Sequence, residues 1–334
     1  MPLVAHSGLP AFATLRDQGL DIISAEQAIA MDLPVLRIGM LNMMPDAALQ
    51  ATERQFLRLV NAYGSAANLY VYPFALRAEY RSEIATAHIN THYSSFAEIR
   101  DQDLHALIIT GANPIRDDIT QEAFWSQLIE VTEWGRMNVQ SILCSCLATH
   151  AVLQNYWGLE RVELPQRQWG VYEHELLEDG QPLLSGLSTP VIAPHSHRFA
   201  VSRLAMERVN VNVLIASPEA GVHMAISDPQ SRFVFFQGHP EYDAISLLKE
   251  YKREIQRFLT GNRSSYPPFP EHYLNTSAKA RLEAYQRQLT ESDFEQQTLP
   301  PFPEAELTDG LVNTWSEVGR VIYRNWLEQV RMRV

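Results

Sequence analysis

Cys146, His239 and Glu241 are the residue types a thiol-dependent group transfer requires: a nucleophile, a base, and a carboxylate to orient the base. Cys146 lies in Ser141-Ile142-Leu143-Cys144-Ser145-Cys146-Leu147-Ala148-Thr149-His150. The apolar run ending at Leu143 reads as a short buried strand, and Leu147, Ala148, Ala151, Val152 and Leu153 read as a helix. Cys146 therefore falls where strand turns into helix. A side chain on such a turn is held out from the sheet beside free N–H groups, whose partial positive charge favours a thiolate. Taken alone, a cysteine is more often a small buried hydrophobe, and Cys144 reads as one. Cys144, Cys146 and His150 lack a fourth ligand at a recognisable spacing, so no metal site is expected there.

Far downstream, Phe233-Val234-Phe235-Phe236 is a second apolar run, followed by Gln237-Gly238-His239-Pro240-Glu241. The base and its carboxylate thus share one tight turn after a strand. The order of elbow cysteine, then Gly-His-Pro-Glu, resembles the class I glutamine amidotransferase fold, in which the two lie at the ends of neighbouring parallel strands.

The elements that must position these groups read as an alternation. Strands are expected over 35–41, 69–72 and 104–109, and helices over 47–60 and 124–137, before the elbow. Such alternation predicts an α/β, doubly wound, mostly parallel sheet of the amidotransferase-like (flavodoxin-like) kind. In these sheets the site lies at the carboxyl ends of the strands, where Thr110-Gly111, Cys146 and His239 all fall. Residues 77–100 read as polar and loop-rich, with a short helical turn at 95–99. Residues 159–200 read as strand-like and irregular. Two antiparallel strands are expected at 211–216 and 222–226, and helices over 243–259, 278–286 and 311–330. Residues 290–307 are acidic and proline-bearing. Three parts follow: an N-terminal extension over 1–33 that packs as an arm, a catalytic domain over 34–260, and a C-terminal loop and helical extension over 261–334. The terminal stripe of Trp315, Val318, Ile322, Trp326 and Val330 reads as core or subunit interface.

The 334 residues are long enough for a large core. A net charge of −12 without a basic stripe argues against nucleic-acid binding. The two cysteines, two positions apart in one strand, make a poor disulfide, which points to a reducing compartment. No apolar run nears the ~20 residues of a membrane span, and no leader pattern precedes Leu20. A cytoplasmic protein is expected.

Over nearly its whole length the sequence resembles the homoserine O-succinyltransferase/O-acetyltransferase family. The resemblance rests on Leu41-Asn42-Met43-Met44-Pro45, the 53–59 helix, Ile109-Thr110-Gly111-Ala112, and Cys146. It continues through Gly170-Val171-Tyr172-Glu173-His174, Ala193-Pro194-His195-Ser196, Gly238-His239-Pro240-Glu241-Tyr242-Asp243 and Asn325-Trp326-Leu327. It implies an acyl-thioester on Cys146, passed from acyl-CoA as co-substrate to the hydroxyl of L-homoserine for methionine synthesis. His239 would be the proton acceptor and Glu241 its partner. Arg253 matches an arginine that binds the amino-acid carboxylate, and Ser196 a substrate-contacting serine. The oxyanion formed on attack needs two N–H donors, for which Leu147 and an amide of Gly111-Ala112 are candidates, glycine permitting close approach. No bound cofactor is implied, and the resemblance together with the aromatic terminal helix suggests a homodimer.

The chain departs from the family at three places. Asp46 and Ala47 stand where lysines are common, Arg167 replaces a substrate-site lysine, and the donor-selecting position, glycine or glutamate in the family, is Ile115. Ile115 lacks the charge that would repel a succinyl carboxylate and the space glycine leaves, and Arg167 keeps a cation, so succinyl-CoA is favoured over acetyl-CoA. L-serine or another hydroxy amino acid is an alternative acceptor. A glutamine amidohydrolase or amidotransferase subunit is an alternative of another class, against which the absence of glycines around Cys146 speaks.

Overall fold

The computed structural model describes residues 2–64, 67–77, 81–178, 180–291 and 299–334. Among these, eleven strands form one sheet: β1 (Leu3–Ala5), β2 (Ile22–Ser24), β3 (Val35–Leu41), β4 (Asn68–Phe74), β5 (Ala106–Ile109), β6 (Ser141–Ser145), β7 (Val162–Leu176), β8 (Val191–Ala200), β9 (Asn212–Ser217), β10 (Gly221–Ile226) and β11 (Phe233–Phe236). The helices are α1 (Pro10–Asp17), α2 (Ala25–Ala30), α3 (Asp46–Asn61), α4 (Glu83–His92), α5 (Phe96–Arg100), α6 (Trp125–Asn138), α7 (Leu147–Trp157), α8 (Arg203–Arg208), α9 (Ser246–Leu259), α10 (Thr276–Glu291), α11 (Glu304–Thr308) and α12 (Ser316–Arg331).

The strand order is β2-β1-β4-β3-β5-β6-β11-β10-β9-β7-β8. From β2 to β11 every neighbouring pair is parallel. From β11 to β8 every pair is antiparallel. The expected mostly parallel α/β sheet is therefore present. Its central strands are buried on both faces, which is why they read as continuous apolar runs rather than alternating ones. Leu36, Ile38, Met40, Ile108, Val234 and Phe236 pack on one face with α1, α3 and α12. Leu107, Ile109, Ile142, Phe233 and Phe235 pack on the other with α6 and α7.

Residues 1–33 do more than pack as an arm: β1 and β2 extend the sheet at its parallel edge. The stretch read as loop-rich before Ser95 holds helix α4, started by the Ser82 hydroxyl accepting from the Ala85 N–H. The short turn after it is α5, closed by a capping box between Ser95 and Glu98. The irregular 159–200 region is a long β7–β8 hairpin with a register shift between Glu163 and Gln168. Helix α10 spans 16 residues, longer at both ends than the 278–286 read from the sequence, and α12 begins at Ser316, with Trp315 and Trp326 in the core. A third apolar cluster joins Leu247, Tyr251 and Ile255 of α9 to Leu282 of α10 and to Trp315. Of the acidic stretch 290–307, residues 292–298 lie outside the described ones. No described helix is long and apolar enough to cross a membrane.

Candidate active site

Strands β6 and β11 are parallel neighbours, pairing Ser145 with Phe236. That register brings the residues following each strand to the same place at the carboxyl edge. Cys146 adopts φ 50°, ψ −108°, a conformation non-glycine residues rarely hold. Its N–H donates to the Phe236 carbonyl at 2.7 Å. The Thr149 hydroxyl lies 2.9 Å from both the Cys144 and the Phe236 carbonyl oxygens. These bonds hold the strained elbow and turn the Cys146 side chain out of the sheet, where it is partly exposed. Cys144 points into the core, and burial pushes its thiol well above the usual range. Of the two cysteines, only Cys146 is reachable.

His239 Nδ1 and Glu241 Oε1 are 2.8 Å apart, and both residues are buried. Burial opposes a charge on the imidazole. The Glu241 carboxylate and the Cys146 sulfur outweigh it and hold His239 well above its ordinary range. A protonated His239 beside Cys146 is the setting for a thiolate–imidazolium pair. Ser145 Oγ makes a longer contact, 3.4 Å, to the same Glu241 oxygen.

The loops after β3 and β5 lie beside Cys146, with Gly111 close to its Cβ. The Met43 N–H donates to Thr110 Oγ1 at 2.9 Å, tying the two loops together. A Cβ placed on Gly111 would lie 3.5 Å from Cys146 Cβ, an ordinary contact, so the backbone approaches the thiol but glycine is not sterically demanded there. The N–H groups of Gly111, Ala112 and Leu147 make no hydrogen bond among the described residues. They are therefore available to a developing oxyanion. Asp46, in place of a family lysine, starts α3 and is held by Arg81 Nη1 at 3.0 Å and the Ser82 N–H at 2.7 Å.

Arg167 and Ser196 gather around a carboxylate that sequence reasoning missed, whereas Arg253 and Ile115 do not. Glu250 of α9 accepts from Arg167 Nη2 at 2.7 Å, Ser196 Oγ at 2.6 Å and the Tyr242 hydroxyl at 2.6 Å. The Tyr242 ring stacks on His239, with centroids 4.2 Å apart. One tyrosine therefore separates the nucleophile–base pair from the Glu250 cluster. Arg253 lies one turn beyond Glu250 on α9, exposed and without a hydrogen bond or ion pair among the described residues. The Ile115 side chain is 87% exposed, and only its N–H is engaged, by Glu122 Oε1 at 2.6 Å. A glutamate on a charge-rich helix gives no sequence signal of its own. Its position beside the buried Leu247, Leu248 and Tyr251 is the one hint.

Sequence reasoning also missed what lies behind His239. His174 Nε2 is 3.0 Å from His195 Nε2, and His195 Nδ1 is 3.0 Å from His197 Nε2. His174, His195, His197 and, beside them, His223 are all buried, and burial keeps all four well below the ordinary imidazole range. A Cβ on Gly238 would fall 2.5 Å from His223 Nδ1 and 2.8 Å from His195 Nε2. Gly238 is thus forced by close approach, and it seats the His239 peptide on neutral histidines. The His239 N–H completes the seat by donating to the Pro194 carbonyl at 2.8 Å.

A thiol on a strained strand-to-helix turn, facing a histidine–carboxylate pair on the next parallel strand, is the constellation of a thiol-dependent group-transfer enzyme. Residues 2–333 match the family model described as homoserine O-succinyltransferase. The chain belongs to that family, which makes it an acyltransferase of homoserine metabolism. It is 46% identical over 330 residues to a homoserine O-succinyltransferase of Methylococcus capsulatus, covering 99% of this chain and 93% of that protein. To one of Thiothrix nivea it is 48% identical, covering 99% and 92%. Among solved structures, a glutamine amidotransferase of Thermotoga maritima aligns with a TM-score of 0.45 at 12% identity, over 88% of this chain and 97% of that one.

Proposed function

We propose that this chain moves an acyl group, succinyl in preference to acetyl, from coenzyme A to the hydroxyl of L-homoserine in the cytoplasmic synthesis of methionine. Acyl-CoA is a co-substrate, and no cofactor is bound. The observation that carries the reading is the partly exposed Cys146 thiol at its elbow beside the buried His239–Glu241 pair.

The Cys146 thiolate attacks the thioester carbonyl, and the Leu147 N–H with that of Gly111 or Ala112 takes the oxyanion. The tetrahedral adduct collapses with the CoA thiolate leaving, and His239 gives it the proton. His239 Nε2 then takes the hydroxyl proton of the acceptor, whose oxygen attacks the acyl-cysteine. Cys146 leaves as thiolate, and His239 is again protonated. Glu241 on Nδ1 holds the ring so that Nε2 faces the reaction. Ser196, Arg167 and Glu250 form the acceptor subsite, with Arg253 for the carboxylate. Support for succinyl comes from the names of the relatives and from the absence of a negative charge at Ile115.

The test is CoA release by the purified protein with succinyl-CoA and acetyl-CoA in turn, with and without L-homoserine or L-serine. Homoserine-dependent turnover that is faster with succinyl-CoA is the expected result. Serine-dependent turnover would replace the acceptor. Release of ammonia from glutamine with no CoA release would overturn the reading.

A further inference from the structure

Arg161, Arg167 and Arg253 differ in what already neutralises them. Arg167 is ion-paired with Glu250 at 2.7 Å and stacks on Trp169 at 4.5 Å. Arg253 is exposed to solvent. Arg161, between α7 and β7, is partly buried but has no ion pair among the described residues. Its Nη2 donates to the Arg116 carbonyl at 2.8 Å and the Asp117 carbonyl at 2.9 Å, and its Nε to Asp117 at 3.3 Å. Its guanidinium lies over the Phe199 ring at 4.2 Å. These partners are carbonyl oxygens and a ring, and Nη1 makes no hydrogen bond among the described residues.

Arg161 grips the loop that begins at Gly111, against Cys146, and runs through Ile115. Glu122 anchors the other side of that loop, accepting from the N–H groups of Ile115 and Arg116 at 2.6 Å each. Burial pulls the Arg161 guanidinium below its usual range. Glu122, Cys146 and the two aspartates 117 and 118 pull it back, so the thiol lies within its electrostatic reach. None of these carboxylates forms an ion pair with Arg161 among the described residues, and the planar fork of a partly buried cation suits a carboxylate that meets it directly.

We infer that Arg161 is the residue that reads the donor, its free Nη1 hydrogens holding the distal carboxylate of a dicarboxylic acyl group carried on Cys146. This rests on the acyl-thioester reading above and deepens it. Arg167 cannot serve equally, since Glu250 already takes its charge. The phosphates of coenzyme A are the other anion that could meet this fork, and the test separates the two.

The experiment is the burst of CoA on rapid mixing without any acceptor, so a wrong acceptor leaves it standing. Succinyl-CoA is compared with butyryl-CoA, which has the same chain length and no distal carboxylate, in the wild type, R161Q and R161K. The wild type should acylate about tenfold or more faster with sub-saturating succinyl-CoA than with butyryl-CoA, the worth of one charge-assisted hydrogen bond. R161Q should bring that ratio to about one by losing only on succinyl-CoA, and R161K should keep most of it. Equal losses on both donors would assign Arg161 to the CoA phosphates or to the loop, and would overturn the inference. So would a wild type that does not prefer succinyl-CoA over butyryl-CoA, a result that needs no variant to fold. A wild type with no burst from any acyl-CoA would contradict the acyl-thioester reading itself.

Discussion

On the parallel side of the sheet, Cys146 and His239 meet because β6 and β11 are neighbours in register, Cys146 directly following its strand and His239 coming after Gln237 and Gly238. On the antiparallel side, β7 and β8 carry Arg167, Ser196 and the buried His174, His195 and His197, and these reach the site through contacts with α9 and Gly238. The nucleophile–base pair is thus a local product of two strand ends. The Glu250 cluster and the seat of His239 are products of tertiary packing. The two sides should therefore fail differently when altered.

The largest effect is expected on the parallel side. Cys146→Ala should reduce homoserine-dependent CoA release by about a thousandfold or more, with a melting temperature close to wild type. Appreciable turnover in that variant would move the chemistry elsewhere. On the antiparallel side, Glu250→Gln frees Arg167 from its partner. It should raise the KM for homoserine about tenfold or more while the acceptor-free CoA burst is kept, the loss being one charge-assisted interaction. A burst lost in parallel with the KM change would place Glu250 in acylation instead.

At the seam between the sides, Gly238→Ala forces a methyl into His223 and His195. A loss of about 1–3 kcal/mol in denaturant unfolding is expected, with weakened activity because the His239 peptide must shift. An unchanged unfolding midpoint would mean the histidine seat yields easily. The smallest effect on chemistry belongs to Cys144→Ser. It buries a hydroxyl in the core at a cost of about 1–3 kcal/mol, but it should leave kcat near wild type.

The same division explains what could be read from the sequence. The central parallel strands are buried on both faces, so their short apolar runs announce themselves, and the elbow is where a strand run meets a helix pattern. Cys146, His239 and Glu241 are legible for that reason. β1 and β2 have three residues each, too few for any periodicity, and α4 has alanines and polar residues but no clear apolar stripe. The β7–β8 hairpin hides behind its register shift. Glu250 meets Arg167 and Ser196 from 83 and 54 residues away, and Arg161 meets Arg116 and Asp117 from 45 and 44 away, pairings that no local pattern encodes. Ile115 and Arg253 could be named only through resemblance. Both are exposed in the structure, with no side-chain partner among the described residues.

The most direct measurement is intact-protein mass spectrometry after mixing with succinyl-CoA in the absence of homoserine, followed by peptide mapping. The account predicts a single succinyl adduct on Cys146 that is discharged when homoserine is added. Homoserine-dependent turnover with no adduct on Cys146, or with the acyl group on another residue, would contradict it.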